Sequence, residues 1–290
     1  MSGPVDVQRV GDVWTGWGES VVWDGERDRL WFVDCAAASL LWLDGGQGPV
    51  GSFQLPSMAS RVLLTDTDDT LLALLDDGIH TLDVRTGGTE LLSPYPEELG
   101  GRCNDACADS AGNLVTGKLN MGPAEGSAWW FSMRDGWRQL DPNISNTNGP
   151  QVLDIDGVLT LIIGDSAADY YAYPYDAMTG TVGPRRVFGA LDDLGGVADG
   201  TALDTDGGLW CALPGGGHLA RFTAAGLDRT IDLPILSPTD VCFGGPGLDR
   251  LYVVSIGLGS SKDDGSLDGA LLAVDGLRST GLPERRFALG

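Results

Sequence analysis

The 290-residue chain carries 41 acidic against 18 basic side chains, a formal net charge of −23, so its surface repels phosphate backbones and anionic membranes and disfavours nucleic-acid or lipid binding. Hydrophobic residues, at 42%, supply a sizeable core and exclude global disorder, while 44 glycines and 15 prolines point to a turn-rich β protein.

Residues 1–6 lack a basic region followed by an apolar core, so no signal peptide is read there. No apolar run reaches the roughly 18 residues that a membrane span needs. Cys35, Cys211 and Cys242 lie inside apolar strand-like runs and read as small buried hydrophobes. Cys103 and Cys107 lack the second Cys/His pair that would complete a zinc motif. The expectation is a protein of a reducing, cytoplasmic compartment.

Taken in order, six segments share one pattern, a turn of Asp, Gly or Arg followed by Leu and an apolar run. Their leucines are Leu30, Leu71, Leu114, Leu159, Leu209 and Leu251, at intervals of 41, 43, 45, 50 and 42 residues. A period near 45 suits a four-stranded propeller blade, and six blades use the whole length. Four units continue into a second strand, at residues 78–83, 128–132, 171–176 and 218–222, whose period-two alternation predicts half-buried outer strands. No linker of shifted composition divides the chain. The expected architecture is all-β, a single six-bladed β-propeller domain over 1–290, with residues 267–274 pairing beside the N-terminal strands to close the ring.

Polar clusters punctuate this pattern. The run Arg102-Cys103-Asn104-Asp105 precedes one strand, and comparable units carry Glu19, Asn148 and Asp199. Convergence of these units would create a small oxygen-rich site.

These stretches, in order, resemble the senescence-marker-protein, gluconolactonase and regucalcin family over nearly the full chain. They are Gly18-Glu19-Ser20, the Arg102–Asp105 run, Ile144-Ser145-Asn146-Thr147-Asn148-Gly149, Asp165-Ser166, Ala198-Asp199-Gly200 and Pro238-Thr239. The resemblance implies a six-bladed propeller with a divalent metal at the channel mouth, hydrolysing sugar lactones or related cyclic esters. It implies Glu19, one asparagine of the Asn146 and Asn148 pair, and Asp199 as metal ligands. The distance to Asp165-Ser166 favours Asn148. Two carboxylates and an amide carbonyl form a hard oxygen set suited to Ca²⁺, with Mg²⁺ or Mn²⁺ as alternatives and an oxygen-only Zn²⁺ site left open.

Asp199 reads equally as a tight-turn residue before the resemblance is weighed, and its implied second role is general base. Glu19, between Trp17 and an apolar run, is costly to bury without a partner. Arg102 and Asn104 are implied to face substrate, with Asp105 holding the loop. Lys118 stands where the family commonly carries a threonine, so it reads either as a solvent-facing amine or as a cation for substrate, with Asn120 as a further contact. Ala106 and Ala198 also depart from the family pattern, and the changes around Lys118 and Ala106 keep a lyase, hydratase or cyclase as a rival reading. A non-catalytic binding propeller is a second rival, against which the intact Glu19, Asn148, Asp199, Arg102 and Asn104 argue.

Overall fold

The apolar runs are continuous because both faces of each strand are buried. In the strand Arg29–Asp34, Leu30 and Phe32 pack toward the sheet before it in the ring, while Trp31 and Val33 pack toward the sheet after it. The same rule holds around the molecule, a computed structural model describing residues 5–120, 126–260 and 265–290. The first four residues of the stretch read for a signal peptide, and Lys262, lie outside the described residues.

Six antiparallel sheets form a six-bladed β-propeller, and an apolar cluster fills each junction between neighbouring blades. The innermost strands of blades I to VI are Gly18–Asp24, Arg61–Leu64, Cys103–Ala108, Thr147–Ile155, Thr201–Leu203 and Pro238–Gly244. Every repeating leucine lies in or at the start of the second strand of its blade, as the period requires. Blade VI is completed by the N-terminal strand Asp6–Trp14, which pairs with Ala270–Asp275 in the register Asp6↔Asp275. This is the expected ring closure, and it removes two free sheet edges.

The strands expected to be half-buried outer ones differ in place and burial. Gly78–Asp83, Ala128–Ser132, Tyr170–Asp176 and His218–Thr223 are the third strands of their blades. Ala128–Ser132 is buried throughout, because a fourth strand, Gly136–Asp141, covers its edge and blades II and IV cover its faces. Solvent reaches the fourth strands instead.

Five side-chain hydrogen bonds and one backbone bond stitch the inner strands and the residues before them into an inter-blade ring. Ser20 Oγ accepts from Val62 N at 2.7 Å, and Ser60 Oγ donates to Cys103 O at 3.0 Å. Asn104 Nδ2 donates to Thr147 O, and Thr201 Oγ1 donates to Gly149 O, both at 3.0 Å. Gly200 N donates to Thr239 O at 2.8 Å, and Thr239 Oγ1 donates to Gly18 O.

Residues 276–290 cross the face opposite the site described below and touch every blade. Arg285 donates to Val152 O, Arg286 pairs with Glu26 at 2.9 Å, and Leu282 N donates to Leu203 O at 3.0 Å. Gly281 N donates to Leu248 O at 2.7 Å, while Phe287 pairs beside Thr65 and Ala288 N donates to Gly112 O at 2.8 Å.

All five cysteines are buried free thiols. Among the described residues, no helix is long and apolar enough to cross a membrane.

Candidate functional site

At one mouth of the channel the inner strands irregularly break their register just where the polar clusters fall. Pairing shifts between Glu19 and Val22, Cys103 and Ala106, Asn148 and Gln151, and Pro238 and Asp240. Such bulges re-aim side chains from the blade interfaces toward the channel. The residue after each of two candidate ligands takes a left-handed backbone, Ser20 at φ 53° and Gly149 at φ 48°. A Cβ on Gly149 would also stand 2.6 Å from Asp199 O, and one on Gly200 2.1 Å from Asp240 Oδ1, so both close approaches require glycine.

The result is a cavity of about 410 Å³ whose walls include Glu19, Asn104, Asn120, Asn148 and Asp199. Five of the seven site residues expected from the sequence therefore come together. Arg102 and Lys118 do not line it. Arg102 Nη1 is drawn outward to Asp76 Oδ1 at 3.4 Å, an ion pair near the surface. Lys118 ends the strand Leu114–Lys118 with its ammonium over Gly100, 3.7 Å from where a side chain there would begin. Past that strand end, Leu119 and Asn120 take the cavity positions instead.

Glu19 Oε1 accepts from Trp17 Nε1 at 2.9 Å, and Trp17 itself is held by its backbone N–H to Asp34. Asp199 is fixed through its backbone, which both donates to and accepts from the Tyr170 hydroxyl at 2.9 Å. Burial, then the carboxylates of Asp240 and Asp105, push Glu19 well above the usual carboxylate range; burial, then Glu19 itself, do the same for Asp199.

The asparagine pair shares Ser166 Oγ as an acceptor and differs at the carbonyl oxygens. Asn148 Nδ2 donates to Ser166 Oγ at 2.7 Å and to Ala198 O at 3.3 Å, which turns Oδ1 toward Asn104 Nδ2 at 2.6 Å. Asn146 uses its Oδ1 to accept from Asn120 N at 2.9 Å and so ties down the neighbouring loop. Asn104 commits both amide hydrogens, to Thr147 O and Asn148 Oδ1, leaving its carbonyl oxygen as the group that can accept from a ligand.

Beneath the site lies a buried ionic network that sequence reasoning missed. Arg61 Nη1 lies between Asp240 Oδ2 and Asp105 Oδ1, the latter at 3.2 Å. Asp105 Oδ2 accepts from Gly149 N at 2.7 Å and Asp240 Oδ2 from Val21 N at 2.9 Å. Asp105 thus holds more than its own loop. The available signal was a lone charge in each of two otherwise apolar inner-strand runs, Arg61-Val62-Leu63-Leu64 and Asp240-Val241-Cys242-Phe243. Ser166 and the Trp17 wall were equally silent, since nothing local tells which way they face.

Two carboxylates in one recess repel each other, and with the Asn148 carbonyl they present the hard oxygen chemistry that a divalent cation satisfies. Among the described residues no cluster of three or more His, Cys, Asp or Glu side chains is spaced for a metal, so a cation here would need an amide as its third donor.

Comparison with known proteins gives a consistent result. Residues 17–257 match the family model described as SMP-30/Gluconolactonase/LRE-like region. The chain is 30% identical to the pentonolactonase XacC of Haloferax volcanii over 97% of each chain. It is 27% identical to regucalcin of Gallus gallus, covering 93% of this chain and 94% of that one. A solved structure of a luciferin-regenerating enzyme superposes with a TM-score of 0.89 at 25% identity, covering 99% of this chain and 100% of that one.

Proposed function

Because this chain belongs to the SMP-30/gluconolactonase/LRE-like family, we propose that it is a divalent-metal-dependent hydrolase opening a sugar lactone or related small cyclic ester. The observation that carries the reading is the meeting of Glu19, Asn148 and Asp199 in one recess with the amides of Asn104 and Asn120 on its wall. The relative XacC is a pentonolactonase, which supports the reaction class.

Glu19, Asn148 and Asp199 are the residues that would hold the ion, with Ca²⁺ the first choice for an all-oxygen set. When bound, the ion supplies Lewis acidity toward the lactone carbonyl and acidifies water. Asp199 takes a proton from the attacking water as the new acyl C–O bond forms. The ring C–O bond breaks and a proton ends on the released ring oxygen, leaving a hydroxy acid. Asn104, through its carbonyl oxygen, and Asn120 orient substrate hydroxyls. Arg102, beside Asp76, and Lys118, over Gly100, stand outside the cavity wall and are assigned no step in this scheme.

The test is lactone hydrolysis by metal-stripped protein with Ca²⁺, Mg²⁺, Mn²⁺ and Zn²⁺ restored singly, beside Asp199→Asn. Activity that returns with one ion and is lost in the variant supports the proposal. An ion that binds while no lactone opens overturns the hydrolase reading, and product analysis would then separate lyase from cyclase chemistry.

A further inference from the structure

The cavity has two unlike walls. Blades III and IV contribute mainly amides and hydroxyls, among them Asn104, Asn120, Asn146 and Ser166, beside Leu119 and Ala167. Blades V, VI and I contribute Val197, Pro214, Ile256 and Trp17. A ligand polar on every edge would leave this second wall without a partner.

The apolar wall does not stop at the cavity. Backbone hydrogen bonds lash its loops side by side: Val197 N to Pro214 O at 3.1 Å, Gly215 N to Leu236 O at 3.0 Å, and Ile256 N to Ser237 O at 3.0 Å. Gly257 N then donates to Gly16 O at 3.0 Å, and Trp17 pairs with Ile256, carrying the surface to blade I. Along this path large apolar side chains stand in solvent, Val197 at 43% exposed and Leu236 and Leu258 each at 61%. Single exposed leucines are ordinary, but these three lie on loops tied to one another at the rim of a cavity, which is where exposed apolar surface marks binding.

We infer that the site accepts a lactone bearing a hydrocarbon substituent, with the ring over Glu19, Asn148 and Asp199 and the substituent lying along the shelf from Ile256 and Val197 to Leu236 and Leu258. The inference rests on the hydrolase reading for the ring's position. Continuity selects the occupant: the shelf begins inside the cavity, so the group that covers it extends from whatever the cavity holds. The amides and hydroxyls come from blades III and IV and the shelf from blades V, VI and I, which also carry Asp199 and Glu19, so one ligand edge is mainly polar and the other mainly apolar.

The experiment measures kcat/KM for γ-lactones with unbranched alkyl substituents from methyl to hexyl, against unsubstituted γ-butyrolactone. In parallel, calorimetry follows binding of the matching lactams, which resist opening. Each methylene laid on the shelf raises kcat/KM and lactam affinity about fourfold until the chain passes its end. Leu236→Ser and Leu258→Ser remove the gain for the longer chains and leave γ-butyrolactone unchanged, since neither residue lines the cavity.

Lactones opened at one rate regardless of chain length overturn the shelf and leave the hydrolase reading standing. No turnover with a lactam affinity that climbs with chain length does the reverse. A flat series together with a dimer that Leu258→Ser dissociates in sedimentation assigns the shelf to a second copy of the chain and overturns the inference.

Discussion

The Arg61 guanidinium of blade II reaches across the channel to the Asp240 carboxylate of blade VI, two side chains 179 positions apart. With Asp105 on its other side, this one buried cation holds the two carboxylates that grip Val21 N and Gly149 N. Those amides lie two residues beyond Glu19 and one beyond Asn148. The proposed ligands are therefore braced from below by a network that touches neither of them through a side-chain hydrogen bond.

Arg61→Met leaves Asp105 and Asp240 buried without their cation, and removing one partner of a buried pair costs about 3–5 kcal/mol. Urea unfolding should show that loss, and Arg61→Met with Asp240→Asn should recover part of it, because the amide keeps an acceptor for Val21 N. Equal stability of the single and double variants would refute the brace.

Ser166 Oγ accepts from Asn148 Nδ2 and donates to Ala198 O at 3.0 Å. Ser166→Ala leaves the Asn148 amide held only by Ala198 O and Asn104 Nδ2, and loss of an outer-shell partner costs metal affinity about 10–100-fold. Calorimetry with Mn²⁺ reads this directly. The melting temperature should stay close to wild type, since the hydroxyl lies at the cavity wall rather than in a blade junction.

Asp204 shows how one carboxylate makes stability depend on pH. Burial alone raises its pKa, but the Arg221 guanidinium at 2.7 and 3.0 Å, Gly208 N at 2.8 Å and Trp210 Nε1 at 2.9 Å outweigh this and hold it below the usual carboxylate range. A depressed folded-state pKa contributes stability that is full above the unfolded value, near 4, and is lost as the pH falls through the folded value. Urea midpoints should fall on acidification below about pH 4. Asp204→Asn should be less stable at pH 7 and show a shallower acid dependence; an unchanged slope would count against this assignment.

Phe287 carries the C-terminal strap, residues 276–290, into the junction of blades II and III, where it is fully buried and stacks on Phe131 at a centroid distance of 6.3 Å. Phe287→Ala should cost about 3–5 kcal/mol in chemical denaturation, the usual loss for a buried aromatic. A cost below about 1 kcal/mol would mean that the strap merely rests on the ring.

Blade count was legible because its cause is local. Leu30, Leu71, Leu114, Leu209 and Leu251 recur at one register position, and each must be apolar whichever neighbour it meets. The polar interruptions at Glu19, Asn104, Asn148 and Asp199 were legible for the same reason, since a charge or amide beside an apolar strand needs a destination. Their meeting in one cavity follows once the blades close into a ring.

The ring itself decided what no local pattern contains. Arg102 reads as well toward substrate as away from it until Asp76, on a loop of blade II, is placed beside it. Lys118 and Asn120 are two positions apart, yet the strand end between them sends one over Gly100 and the other into the cavity. Arg61 and Asp240 are each an expensive buried charge in isolation, and only the width of the channel makes them a pair. Period and burial are set by each strand's own residues, so the sequence by itself determined the blades and the polar clusters at their ends. Direction and partnership depend on distances across the channel between residues far apart in the chain, and those exist only after the tertiary structure has formed.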